Sequence, residues 1–331
     1  MNDKAVMVLE KYDIEVLRSW KGRGAILCET KTGIKILKEY KGSPEKLAIE
    51  KQLQQKIKEQ GFQEVEEILP TKEGELIAKD EDMVSYYLKE YKEGRECNIK
   101  EYRDCSKTVE KMACLHKVIK LPEFVQEKKI IPYCLPEEYE KYNRELRHIK
   151  KYLKQKHQKS EFEYYLYQHY DEFLLKAEKI LDEIKKYKDI FGSENLIKNG
   201  NLCHGDMQHH NVILNDENVF FINFEKFALD SPMRDLSKFF RKMMEKNNWS
   251  KELGQDILES YQKQRPICEE EKYQLYYRLS YPEKFRKIVN FYYHSSKTWI
   301  PEKNKEKLEK ILKQEEEKLR FLEDNFRERI L

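Results

Sequence analysis

The chain has 331 residues, enough for two lobes and a sizeable core. Charged residues make up 38% of it, yet the signs nearly cancel at net +3, with Lys and Glu mixed along most of its length. That pattern reads as solvated surface rather than a nucleic-acid face, and no apolar run approaches the roughly 18 residues of a membrane span. The seven cysteines form no CxxC pair, which removes a zinc or redox motif. Their odd number, and a start at Met1-Asn2-Asp3-Lys4 without an export signature, lead us to expect synthesis in a reducing cytoplasm.

Residues 3–11 read as a short helix. Residues 14–20, 25–30 and 34–38 read as three strands, joined by tight turns at Lys21-Gly22-Arg23-Gly24 and Lys31-Thr32-Gly33. Ser43 is placed to cap a helix with Pro44 at its first position, Leu47, Leu53 and Ile57 on its buried side, and Gly61 at its end. Two more strands fit 64–69 and 75–79, and an aromatic β-rich run fits 83–91. Lys92-Glu93-Gly94-Arg95 then breaks the pattern.

From there the chain turns helical. Residues 98–120 form one helix, and the Tyr-rich stretch 136–190 forms two, broken near Lys159-Ser160. Residues 191–201 read as a loop, and helices resume at about 234. In the last segment Leu308, Leu312, Leu319, Leu322, Phe326 and Ile330 make one apolar stripe. Glutamates 315–317 interrupt it, which favours packing on the body of the protein over a coiled coil.

The chemistry is concentrated at His204-Gly205-Asp206-Met207-Gln208-His209-His210-Asn211, followed by strands at 212–214 and 219–223 and by Asn223-Phe224-Glu225. Asp with Asn five residues on is the spacing of a kinase catalytic loop, where the acid orients the acceptor hydroxyl and the amide holds magnesium. Asp206 and Asn211 are therefore the expected base and metal ligand. A second acid belongs on the following hairpin, and that position is Asn223, a neutral ligand where magnesium prefers carboxylate oxygen. Glu225, two residues on, lies on the same side if the strand persists and could supply the missing charge.

Lys38, on a strand face with Ile34 and Ile36, is the expected phosphate-binding lysine, and Glu50 on the next helix its expected partner. Glu90 and Tyr91 sit where a hinge would present its backbone to adenine. Gly22 and Gly24 fit an ordinary hairpin turn as well as a phosphate cover. His204, His116 and Asp235 read as structural support for the loop, with Asp235 also placed to cap the following helix.

These residues resemble the aminoglycoside phosphotransferase and choline kinase superfamily, in which Gly precedes the catalytic Asp where protein kinases carry Arg. Within it the chain is similar to the CotS family of spore coat proteins. The likeness rests on Lys31-Thr32-Gly33, Glu93-Gly94-Arg95-Glu96, Leu202-Cys203-His204-Gly205-Asp206 with Asn211, and the run Asp235-Leu236-Ser237-Lys238-Phe239-Phe240-Arg241-Lys242 continued by Met244-Glu245-Lys246-Asn247-Asn248-Trp249. It implies an α+β, bilobal protein kinase-like fold. The N-lobe, residues 1–91, would be a small antiparallel β-sheet with one helix, and the C-lobe, 92–331, mainly helical. It further implies synthesis in the mother-cell cytoplasm and deposition in the spore coat among other coat proteins, away from nucleic acid and membrane.

Asn223 favours a coat assembly scaffold with weak or absent phosphotransferase activity. Asp206 and Asn211 favour the alternative, an active ATP- and Mg-dependent kinase of a coat protein or a small hydroxylated metabolite. A drug- or choline-type phosphotransferase would instead need an acidic pocket for a cationic acceptor. The second half has Glu269, Glu270 and Glu271 in a row, and nothing places them near Asp206.

Overall fold

Alternating apolar residues and glycine turns fold the first ninety residues into an antiparallel sheet. The computed structural model describes residues 3–22, 24–121, 132–294 and 301–326. Strands Val16–Gly22, Ala25–Thr30, Gly33–Glu39, Ser85–Glu90 and Ile68–Leu69 lie side by side in that order, and Ala78–Lys79 also pairs with Ser85–Glu90. The register sets Lys38 opposite Tyr87 and Ile36 opposite Lys89. Arg23, in the first expected turn, falls outside the described residues.

The helix Pro44–Glu59 starts as its sequence dictates: the Ser43 side chain accepts the Lys46 N–H at 3.3 Å, and Pro44 occupies the first turn. Leu47, Leu53 and Ile57 are fully buried beneath it. The strands expected at 64–69 and 75–79 shrink to two residues each. Backbone groups that would have extended the first make distant bonds instead. The Glu64 carbonyl accepts the Phe221 N–H, and the Glu67 carbonyl accepts the Glu90 N–H, both at 2.9 Å.

Beyond the sheet the chain is mainly helical. The long Tyr-rich stretch splits into Leu135–Gln155 and Glu161–Ile184, and Ser160 begins the second with a capping box to Glu163. Residues 191–201 are not a loop. The helix Ser193–Asn199 occupies them, buries Leu196, and ends at Gly200 in the left-handed conformation. Its sequence contains ordinary helix formers, and only its shortness hid it.

Besides two small clusters within the first ninety residues, two large apolar cores result. One joins Leu53, Ile57 and Phe62 to the helices Tyr102–Val118 and Met233–Lys246. The other lies between Leu135–Gln155, Glu161–Ile184 and Glu283–His294. The helix Pro301–Phe326 enters both, giving Leu308 and Ile311 to the second and Phe321, Leu322 and Phe326 to the first. The apolar stripe thus packs on the body, although Leu319 is 43% exposed and Ile330 lies outside the described residues. Among the described residues no helix is long and apolar enough to cross a membrane.

Two short ladders position the candidate site. Leu202–Cys203 pairs with Ala228–Leu229, and Val212–Leu214 pairs with both Val219–Phe221 and Arg95–Glu96. The His204–Asn211 loop and the Asn223–Glu225 turn are each strung between these ladders.

Candidate functional site

The loop is held from below. Asp235 lies inside the helix Met233–Lys246, so it does not cap that helix as expected. Its carboxylate points away and accepts the backbone N–H groups of His204 at 2.6 Å and Gly205 at 2.9 Å. His116 Nε2 lies 3.4 Å from the same carboxylate, and His116 Nδ1 is 2.7 Å from the Tyr261 hydroxyl. Burial would raise the Asp235 pKa, but His116 and these donors hold it below the usual range. Buried His204 donates from Nε2 to the Ile222 carbonyl and accepts the Asp206 N–H at Nδ1, so it serves as a neutral imidazole. At Gly205 φ is +79°, and a Cβ there would stand 1.8 Å from the Lys226 carbonyl oxygen. No residue but glycine fits between the two ladders.

Asp206 projects from this braced turn. Both carboxylate oxygens are taken, by Lys226 Nζ at 2.8 Å and by Gln208 Nε2 at 2.7 Å. Burial alone would raise its pKa; these two donors outweigh it and hold the group at about 2. Such a weak base can orient a hydroxyl but has little driving force to take its proton.

Asn211 and Asn223 face one another. Asn211 Nδ2 donates to the Asp206 carbonyl at 2.8 Å, and its Oδ1 accepts from Asn223 Nδ2 at 2.9 Å. Asn223 sits at φ +66°, a left-handed position that asparagine tolerates, so the strand ends at Phe221. Its Oδ1 accepts from the Lys89 ammonium at 2.7 Å. Lys89 in turn pairs with Glu66 at 2.6 Å, and both side chains are almost wholly buried. Glu66 also accepts the Asn223 N–H at 2.7 Å.

Lys38 does not meet Glu50. It pairs with Glu225, which also accepts from the Tyr87 hydroxyl at 2.7 Å. The turn at Asn223 brings Glu225 across to the sheet, which strand geometry alone would not have done. Glu50 is left buried, with Oε2 unpartnered and Oε1 only 3.4 Å from Gln54 Nε2. Burial, then the nearby Glu66 charge, lifts its pKa to about 8. At the expected hinge the Glu90 N–H is bound to Glu67 and the Tyr91 N–H to the Ile34 carbonyl at 3.1 Å, while the Glu90 carboxylate pairs with Lys35 at 3.1 Å. Those two amides are already satisfied within the protein.

A magnesium ion fits this arrangement poorly. Asn211 Oδ1 already meets an amide and Asn223 Oδ1 an ammonium, and Glu225 takes a lysine and a tyrosine on one oxygen, Oε1. A divalent ion at Asn223 would stand beside the Lys89 ammonium, and the carboxylate bonded there, Glu66, is already paired with that lysine. Among the described residues no cluster of three or more His, Cys, Asp or Glu could hold a metal. Lys89 was read only as part of the expected hinge beside Glu90 and Tyr91, and Glu66, Tyr87 and Lys226 were not singled out in the sequence. The available signal was a lysine inside the otherwise buried run Tyr86-Tyr87-Leu88, in a chain already short of one acid.

Asp206 opens onto a cleft of about 1150 Å³, bounded by the start of the helix Pro44–Glu59, by residues 132–142 and by the helices Met233–Lys246 and Glu283–His294.

This is the fold of the aminoglycoside phosphotransferases and choline kinases. An aminoglycoside phosphotransferase from Alicyclobacillus acidocaldarius superposes with a TM-score of 0.83 at 20% identity, covering 98% of this chain and 95% of that one. A spectinomycin phosphotransferase, APH(9)-Ia, solved with ADP and spectinomycin, gives 0.58 at 16% identity, covering 94% and 92%. Choline kinase from Cryptosporidium parvum gives 0.55 at 15%, covering 96% of each chain. The family model described as "Spore coat putative kinase YutH" matches residues 5–325, and the chain belongs to that spore coat family.

Proposed function

We propose that this protein acts in spore coat assembly as a kinase-like scaffold, with phosphotransferase activity weak or absent. Its lobes are residues 1–91 and 92–331, and it is made in the mother-cell cytoplasm and deposited in the coat beside other coat proteins. Membership of the spore coat family supports the location. The observation that carries the loss of chemistry is the Lys89 ammonium on Asn223 Oδ1, backed by Glu66. Where a kinase needs a carboxylate and a divalent cation, this chain has an amide and a cation of its own. The neighbouring pairs, Lys38 with Glu225 and Lys226 with Asp206, occupy the groups that would meet phosphate and acceptor.

The second reading, an active ATP- and Mg-dependent kinase, draws on Asp206 with Asn211 on a loop braced by Asp235, open to a roomy cleft. Calorimetric titration with ATP, with and without magnesium, separates the two. We expect no magnesium-dependent binding by the wild type, and its appearance in the double variant Asn223→Asp/Lys89→Met, where the introduced carboxylate and that of Glu66 stand together without an ammonium. Micromolar, magnesium-dependent binding by the wild type, with phosphoryl transfer lost in Asp206→Ala, would establish the kinase instead.

A further inference from the structure

The cleft beside Asp206 is basic. Nine lysine or arginine side chains line it against five aspartates or glutamates. Most of those acids are committed. Asp206 is held by Lys226, and Glu283 is shared by Arg286 at 2.8 Å and Lys287 at 3.3 Å. Glu138 is tied to Arg234 at 3.3 Å. Arg234 and Arg278 form part of the wall, only 7% and 8% exposed, and they converge on Asp230 behind it. Each has a buried Nε donor without a partner.

Lys238, half-buried between Asp206 and Arg234, donates only to the Gly205 carbonyl, a neutral oxygen. Burial and then Arg234 push its pKa down, against the opposing pull of Asp235 and Asp206. The Arg234 guanidinium lies 3.8 Å from the Tyr133 ring centroid and that of Arg286 3.6 Å from Tyr142, which fixes both planes. A concave wall with excess positive charge and low-dielectric sides focuses its field on the space within. Glu269, Glu270 and Glu271 are not among its lining residues.

We propose that this cleft binds a small anion carrying at least two phosphate or carboxylate groups, gripped between Lys238, Arg234 and Lys287. A cationic aminoglycoside or choline-like molecule is the wrong charge for it. The inference stands whether or not the chain transfers phosphate.

The test is calorimetric titration of the full chain with inorganic pyrophosphate and with citrate, at about 20 and 200 mM salt. Binding should weaken at least threefold at the higher salt. The surface charge reversal Lys141→Glu/Lys287→Glu should weaken it at least tenfold, and Lys238→Met should do the same from inside. Lys263→Met, exposed and away from the cleft, should leave it within twofold. A preference for pyrophosphate or for citrate names the group and supports the proposal either way. Four results would overturn it: no binding of either anion below millimolar, an unchanged affinity after charge reversal, loss of binding in Lys263→Met, or binding of polyglutamate but neither small anion.

Discussion

Glu50 is a buried acid that has lost its lysine, and its titration should be visible in the stability of the whole protein. In the fold its pKa rises from 4.5 to about 8, through burial first and Glu66 second. The folded chain therefore holds a proton there that the unfolded chain releases. The sign follows: this group's contribution is fully present below the unfolded pKa, falls as pH rises through the window from 4.5 to about 8, and is constant above it. Lifting a carboxyl over that range corresponds to roughly 5 kcal/mol. Glu50→Gln keeps the shape and the acceptor for Gln54, and removes the proton. Urea denaturation followed by tryptophan fluorescence should find variant and wild type alike near pH 5. Near pH 8.5 the variant should be the more stable by about 3–4 kcal/mol. Parallel curves across that range would refute the reasoning, because they would mean that Glu50 ionises in the fold without penalty.

Two further substitutions probe the same region. Lys89→Met strands the Glu66 carboxylate and Asn223 Oδ1 without their cation, and should cost about 3–5 kcal/mol in thermal unfolding. Adding Glu66→Gln should recover at least half of that loss. Asp235→Ala removes the acceptor for the buried N–H groups of His204 and Gly205, at about 1–3 kcal/mol each. Asp235→Asn keeps one acceptor oxygen and should lose clearly less, by the same melting assay.

Local signals carried the sequence a long way. Ser43-Pro44 announced a helix start because capping is decided within four residues, and Lys159-Ser160 marked a break between two helices. The Asp206 to Asn211 spacing announced the loop because one turn sets it. The pairings that decide the chemistry are of another kind. Lys89 meets Glu66 and Asn223 from three segments, 23 and 134 residues apart along the chain. In a chain with 64 Lys and Arg against 61 Asp and Glu, composition offers no way to choose among partners. Lys38 was correctly placed on its strand, yet its partner depended on a left-handed turn at Asn223, which strand periodicity cannot foresee. The basic cleft escaped notice because its lysines and arginines lie on six separate elements spread from Lys46 to Lys287.

The helix Pro301–Phe326 has a meaning for how the protein is made. It reaches both cores, and it follows every other described element in the chain. Neither large core is complete until its residues on this helix have been made, so the growing chain carries two half-open apolar faces through most of its synthesis. A chain cut short before Leu308 would expose both at once. The last helix thus ties the closing of both large cores to one late segment of the chain.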